Sequence, residues 1–90
     1  MKKYVIERNI PKVHCMGPEE LKGAAATSND ALAKLSPRVQ WLHSYVTPDK
    51  TFCIDLAEDA DAVREHAELS GFPANVISEV TTTIDPSTAH

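Results

Sequence analysis

The segment Val39-Gln-Trp-Leu-His-Ser-Tyr-Val-Thr-Pro-Asp-Lys-Thr-Phe-Cys53 holds both arms of a candidate β-hairpin. Its first half is rich in β-branched and aromatic residues, which favour strands. Thr47-Pro-Asp-Lys50 follows, and proline suits the second position of a tight turn. A second strand-like run begins at Thr51. The segment therefore predicts antiparallel strands over 39–46 and 51–56.

The flanking sequence supplies two helices and two more strands. Residues 3–8 and 75–84 have strand character, with Val76, Val80 and Ile84 in phase in the second run. Pro18 suits the start of a helix, and Pro37 predicts its end near Leu35. Asp59 is a candidate cap for a second helix that Gly71 ends. The order β-α-β-β-α-β predicts an α+β, ferredoxin-like domain: a four-stranded antiparallel sheet with two helices on one face.

The composition is that of one globular domain over residues 1–90, with an ordered core at about 3–85 and a tail at 86–90. Hydrophobic residues make up 42% and charged residues 24% of the chain. A net charge of −4 without a basic patch argues against nucleic acid as a partner. No run approaches the roughly 20 apolar residues of a membrane span. We therefore expect a cytoplasmic protein in which Cys15 and Cys53 are reduced.

The length of the hairpin loop decides which side chains share a face. A two-residue loop pairs Ser44 with Cys53, whereas a three-residue loop pairs Tyr45 with Cys53 and His43 with Asp55. We prefer the longer loop, because a consistent apolar face fixes register. It collects an apolar set on the helix-facing side: Leu42, Val46, Phe52, Ile54 and Leu56. The open face then carries Trp41, His43, Tyr45, Cys53 and Asp55.

The first strand extends this arrangement. Tyr4 and Ile6 are predicted to point inward, which leaves Val5 and Glu7 on the open face, where Glu79 of the last strand joins them. A bare sheet face in so short a chain invites a second subunit, so we expect a homodimer.

The polar residues of the open face have three interpretations. As a metal site, His43 supplies an imidazole, Cys53 a thiolate, and Glu7 or Asp55 a carboxylate, with Tyr45 hydrogen-bonding to a ligand. Zinc, copper and nickel suit such donors. As a packed interface, the same side chains are structural. As a pocket, His43 serves in proton transfer and Tyr45 as a donor.

Two further histidines are weaker candidates. His66 flanks the inner face of the second helix, where it either borders the core or contacts a surface metal together with Asp59 or Asp61. His14 and Cys15 lie in the loop before the first helix, and two ligands do not close a site.

Several segments together resemble a known family. They are Tyr4-Val-Ile-Glu-Arg8, Gln40-Trp-Leu-His-Ser-Tyr-Val46, Arg64-Glu-His-Ala67, Gly71-Phe-Pro-Ala-Asn75, Ile77-Ser-Glu-Val80 and Ile84-Asp-Pro86. This set is similar to the small nickel-binding, ferredoxin-like proteins long known as a domain of unknown function. The resemblance spans residues 3–86. It implies a homodimer that binds and sequesters nickel, and it directs attention to His43, Tyr45, Cys53 and His66.

The sequence thus predicts a homodimeric binder of a divalent transition metal, with nickel first and zinc or copper as alternatives. The rival prediction is a small-molecule binder, or a cofactor-free enzyme, of the dimeric α+β-barrel type. That protein would use the face with Trp41, His43 and Tyr45 as its pocket. A plain interaction module is the third reading. Enzymatic activity stays open, with a non-enzymatic role preferred.

Overall fold

A computed structural model describes residues 1–10, 15–35 and 38–89, and the side chain of Leu35 is not described. Among these residues, no helix combines the length and the apolar character needed to cross a membrane. The elements follow in chain order: β1 (Lys2–Asn9), α1 (Pro18–Leu35), β2 (Val39–Val46), β3 (Lys50–Ala57), α2 (Ala60–Ser70), β4 (Val76–Glu79) and a 3₁₀ helix (Pro86–Ala89). This order confirms the predicted β-α-β-β-α-β chain.

The four strands form one antiparallel sheet in the order β2-β3-β1-β4, as the ferredoxin-like prediction requires. The core lies between this sheet and α2. Tyr4 and Ile6 point inward as predicted and pack with buried residues of the neighbouring strands and α2. The remaining members of this buried cluster are Val39, Ala57, Ala62 and Val63.

Helix α2 begins and ends as its sequence predicts. The Asp59 carboxylate accepts a hydrogen bond of 2.8 Å from the backbone nitrogen of Ala62, which satisfies one of the free donors of the first turn. Gly71 follows the last turn at φ 77°, in the left-handed region that favours glycine. These caps fix the helix position, and with it the direction of its buried residues.

The predicted three-residue hairpin loop is wrong. Thr47 donates its backbone N–H to the carbonyl oxygen of Lys50 at 2.9 Å, so the loop consists of residues 48 and 49. Ser44 therefore lies opposite Cys53. A β-bulge between Trp41 and His43 then shifts the register again. Trp41 thereby lies opposite Asp55, while His43 lies opposite Ile54.

This register reverses the two faces of β3. Cys53 and Asp55 lie opposite Ile6 and Tyr4 of β1, so they belong to the helix-facing side. The open face instead carries His43 and Tyr45 of β2 together with apolar neighbours of β3 and β1. Those neighbours are Val5, Phe52, Ile54 and Leu56. Most of the apolar residues assigned to the core therefore line the open face.

Strand β4 is shorter than predicted. It ends at Glu79, after which the backbone nitrogen of Val80 donates to the carbonyl oxygen of Lys3 at 2.8 Å. Ile84, beyond the end of the strand, is 76% exposed. Glu79 itself lies opposite Tyr4, on the helix-facing side and not the open face, and forms an ion pair of 3.6 Å with Lys2.

Candidate functional site

A cavity of about 480 Å³ lies between α1 and the helix-facing side of the sheet. The cavity remains unfilled because the residues of α1 that face the sheet at this place have small side chains. Ala24, Ala25 and Ser28 line the cavity from α1, while Thr51, Cys53 and Asp55 line it from β3. Apolar walls complete it: Ile10, Met16, Leu21, Trp41, Val46, Phe72 and Pro73. Its remaining lining residues are Arg8, Asn9, Ser44 and His66.

Asp55 is the unusual group of this cavity. Its side chain is 1% exposed, and neither carboxylate oxygen has a hydrogen-bond partner among the described residues. Burial raises the pKa of Asp55 from 3.8 to about 6, and the positive charge of Arg8 opposes this rise only in part. A carboxylate held this way is costly to keep ionised, and such groups mark functional sites.

Arg8 supplies the positive charge of the site. It is 3% exposed, and its Nε donates to the Cys53 sulfur at 3.4 Å while Nη1 donates to the carbonyl oxygen of Pro73 at 2.8 Å. These bonds tie β1 to β3 and to the segment after α2. Arg8 interacts with Asp55 through its charge, without a hydrogen bond between them.

His66 closes the cavity from α2. It is 2% exposed, and its Nε2 lies 3.2 Å from the Ser28 hydroxyl and 3.4 Å from the Ser28 carbonyl oxygen. A carbonyl oxygen only accepts, so this contact favours the tautomer with the proton on Nε2, in which the unpaired Nδ1 is an acceptor. Burial lowers the pKa of His66, which favours the neutral ring. The predicted alternative is a surface metal contact with Asp59 or Asp61. In the structure His66 is buried, Asp59 caps α2 and Asp61 pairs with Arg64.

The single tryptophan contributes an aromatic wall. The indole Nε1 of Trp41 donates to the Ser44 hydroxyl at 2.9 Å, which fixes the ring beside the cavity. The bulge after Trp41 carries this residue to the helix-facing side, away from Tyr45. Trp41 is therefore not part of the open face to which the sequence pattern assigned it.

The structure separates the predicted metal ligands. His43 and Tyr45 share the open face, with His43 Nε2 3.2 Å from the Tyr45 hydroxyl and the rings edge to face at 5.1 Å. Glu7 also lies there and forms an ion pair of 3.4 Å with Lys50. Cys53, Asp55 and His66 line the cavity on the other side of the sheet. Cys15 is exposed, and His14 lies outside the described residues.

A transition metal does not fit the side chains as they stand. Within residues 1–10, 15–35 and 38–89, no three His, Cys, Asp or Glu side chains are grouped so that they hold an ion. The cavity contains suitable donor types in Cys53, Asp55 and His66, but Arg8 brings a positive charge among them.

Sequence analysis did not single out Arg8 or Ser28 as site residues. A signal for Arg8 was present, because it follows Tyr4 and Ile6 at the inward-pointing positions of β1. A charged residue at such a position points to a buried polar site. Ser28 carried no comparable signal, since a small polar residue is ordinary on the buried side of a helix.

The sheet order and the two helices define a ferredoxin-like α+β protein with a cavity between α1 and the sheet. A sequence model of the family described as "Nickel responsive protein SCO4226-like" matches residues 4–80. The chain therefore belongs to the SCO4226-like family.

A solved structure supports the same fold. The crystal structure of SCO4226 from Streptomyces coelicolor A3(2) superposes with a TM-score of 0.77 at 16% sequence identity. The match covers 91% of this chain and 99% of that one. At this identity the likeness establishes the fold alone. No curated protein matches the chain at a significant level.

Proposed function

We propose that the protein binds a small molecule in the cavity between α1 and the sheet. Asp55 carries this proposal: it is a buried carboxylate on the cavity wall, and neither of its oxygens has a partner among the described residues. An unsatisfied buried carboxylate costs stability, and a bound donor offsets that cost. Ligand sites are typically clefts of about 300–1,000 Å³ with apolar walls and a few convergent polar groups.

The pocket proposed here differs from the one that the sequence pattern favoured. That alternative placed a ligand on the open face beside His43 and Tyr45. The cavity instead has Trp41 and Phe72 as aromatic walls and Asp55, Arg8 and His66 as polar groups. Apolar area supplies binding free energy, and buried polar groups supply selectivity.

Filling the cavity from α1 is expected to abolish binding. Ala25 lines the cavity, so Ala25→Phe places a ring inside it. Ala33 lies on the same helix and is exposed, so Ala33→Phe makes the same change outside the cavity. The neutral naphthalene dye prodan, whose emission rises in apolar surroundings, serves as the probe. We expect saturable binding to the natural sequence and to Ala33→Phe, and none to Ala25→Phe.

Circular dichroism of both variants checks that the fold is kept. Binding of prodan that does not saturate, or that is equal in the two phenylalanine variants, would contradict a ligand site at this cavity.

Nickel binding is the second candidate function, and the family description favours it. Cys53, Asp55 and His66 are the donors that line one cavity, so the proposal places the ion there after a shift of side chains. The role proposed is the sequestration of a divalent ion, with nickel ahead of zinc and copper. His43, which lies on the open face with Tyr45, is the alternative donor.

Calorimetric titration of nickel into untagged, chelator-stripped protein under reducing conditions tests this candidate. If nickel binds in the cavity, Cys53→Ser is expected to weaken that binding by at least about tenfold, because a thiolate is the strongest donor in the set. His43→Ala, on the other side of the sheet, is expected to leave the affinity unchanged. Weaker binding in His43→Ala and unchanged binding in Cys53→Ser would place the ion on the open face. No heat of binding with the natural sequence would refute the nickel proposal.

The open face is the proposed interface of a homodimer. Val5, Phe52, Ile54 and Leu56 lie there in the register of the sheet, and Tyr45 is 59% exposed beside them. Burying such a face against a second copy removes apolar area from water.

A charge at the centre of that face is expected to prevent dimerisation. Ile54→Lys places an ammonium group where two copies would meet, whereas Leu69→Lys changes an exposed leucine of α2. Sedimentation velocity is expected to give a dimer for the natural sequence and Leu69→Lys, and a monomer for Ile54→Lys. A natural protein that sediments as a monomer would contradict the proposed dimer.

A further inference from the structure

The charges around the cavity limit what can bind there. Among the described residues that line it, only Arg8 and Asp55 carry formal charges, one of each sign. His66 is neutral near pH 7, since burial lowers its pKa. The described lining is therefore electrically balanced without a ligand. A cation or an anion would leave a net charge in a site of low polarity, which is costly.

The fully buried polar atoms of the lining that lack a partner belong to Asp55 and His66. The two oxygens of ionised Asp55 accept only, and Nδ1 of His66 accepts in the tautomer that has its proton on Nε2, which the contact with the Ser28 carbonyl oxygen favours. Arg8 gives Nε to Cys53 and Nη1 to Pro73, while its Nη2 can still donate to a carbonyl oxygen of a ligand. A ligand that satisfies Asp55 must therefore donate a hydrogen bond to a carboxylate oxygen.

The rest of the cavity has apolar walls that suit an apolar part of a ligand. Trp41 and Phe72 supply aromatic walls, and Leu21 and Met16 supply aliphatic ones. The indole N–H of Trp41 donates to Ser44, so the ring offers a ligand an apolar surface and no hydrogen-bond donor. A flat, apolar group suits these walls.

We propose that the cavity takes a neutral molecule whose apolar body carries a primary carboxamide or urea group, with its N–H donors on the carboxylate of Asp55. This inference rests on the proposed function, because it names the ligand class of the same cavity. The apolar body occupies the space between α1 and Trp41. Arg8 balances the charge of Asp55, so the ligand needs none of its own.

Four probes of nearly equal shape separate the possibilities. Benzamide is a neutral donor, benzamidine a cationic donor, benzoate an anion, and toluene has no polar group. The protein has a single tryptophan, so the indole N–H signal of Trp41 in a ¹H–¹⁵N spectrum is assigned without ambiguity, and it reports on the cavity wall. We expect benzamide to bind at least about tenfold more tightly than each of the other three, a preference typical of a site with buried acceptors.

Two variants test the role of Asp55. Asp55→Asn is expected to weaken benzamide at least about tenfold, because a charged acceptor is lost, and to leave toluene unchanged. Glu68→Gln removes a carboxylate from the exposed side of α2 and is expected to change neither.

Each other outcome overturns a distinct statement. Equal binding of toluene and benzamide would show a purely apolar site and refute the ligand class while the cavity site stands. Tighter binding of benzamidine would show a cation site, and tighter binding of benzoate an anion site, and either refutes neutrality. Failure of all four probes and of prodan to shift the Trp41 signal would refute both this inference and the proposed function.

Discussion

At pH 7, Asp55→Asn is expected to be about 3 kcal/mol more stable than the natural sequence. Burial raises the pKa of Asp55 from 3.8 to about 6, which is about two units at 1.36 kcal/mol each. The folded protein thus holds this proton more tightly than the unfolded chain. The cost of ionisation is absent at low pH, grows as the pH rises between about 4 and 6, and is complete above it. Asparagine has nearly the same shape and never ionises.

The pH dependence distinguishes this cause from a change in packing. The increase in the free energy of unfolding caused by Asp55→Asn is expected to fall to about 0.5 kcal/mol at pH 4, where Asp55 is already protonated in the folded natural protein. His66 acts in the opposite sense, because its lowered pKa makes the unfolded chain the better proton acceptor below about 6.5. Both proteins contain His66, so its contribution largely cancels in the difference. Urea unfolding at pH 4 and pH 7 measures both values, and a gain that does not vary with pH would contradict the account.

Loss of Arg8 is expected to have a comparable effect of opposite sign. Arg8→Met keeps an unbranched apolar stem but removes the charge that opposes the rise in the pKa of Asp55. It also removes the hydrogen bond of 2.8 Å to the carbonyl oxygen of Pro73. We expect a cost of about 2 kcal/mol at pH 7. About 1 kcal/mol of this comes from the lost hydrogen bond. At most about 1.4 kcal/mol comes through Asp55, because a carboxyl group whose pKa is already about 6 takes up a proton when ionisation becomes more costly.

A double-mutant cycle separates the charge from the hydrogen bond. In the Asp55→Asn background, Arg8→Met no longer leaves a buried carboxylate without its counter-charge. The loss of stability caused by Arg8→Met is therefore expected to fall to roughly 1 kcal/mol, the cost of a lost hydrogen bond. At pH 4 the single variant is expected to behave in the same way. An equal cost of Arg8→Met in both backgrounds would show that Arg8 does not act through the charge of Asp55.

The order of elements was predictable because its signals are local. Pro18, Asp59 and Gly71 set helix ends through their own backbone chemistry, and the structure confirms the position of each. The inward direction of Tyr4 and Ile6 followed from the period of a strand. None of these predictions depended on how distant segments pair.

The site was not predictable in the same way, because it depends on the hairpin register. The apolar residues Phe52, Ile54 and Leu56 were assigned to the core on the assumption that the apolar face of β3 meets the helices. In the structure the polar residues of β3 face the helices and line the cavity. The bulge after Trp41 shifts the register a second time, and no short sequence motif predicts it. The burial of His66 was predictable, since His66 shares helical spacing with Val63, Ala67 and Ser70 on the buried side of α2.

The two faces of the sheet have different chemistry. The helix-facing side holds the cavity with Arg8, Asp55 and His66. The open face holds apolar residues with the His43–Tyr45 pair. Under the proposals made above, a ligand and a second subunit occupy opposite sides, so cavity variants and dimer variants are expected to act independently.

A crystal structure of the protein with 4-iodobenzamide tests the central claim most directly, because the anomalous signal of iodine locates the ligand. We expect one strong peak inside the cavity between α1 and Trp41, with the amide nitrogen in hydrogen-bond distance of an Asp55 oxygen. A peak on the open face beside Tyr45, or an empty cavity at saturating ligand, would contradict the assignment of the cavity as the binding site.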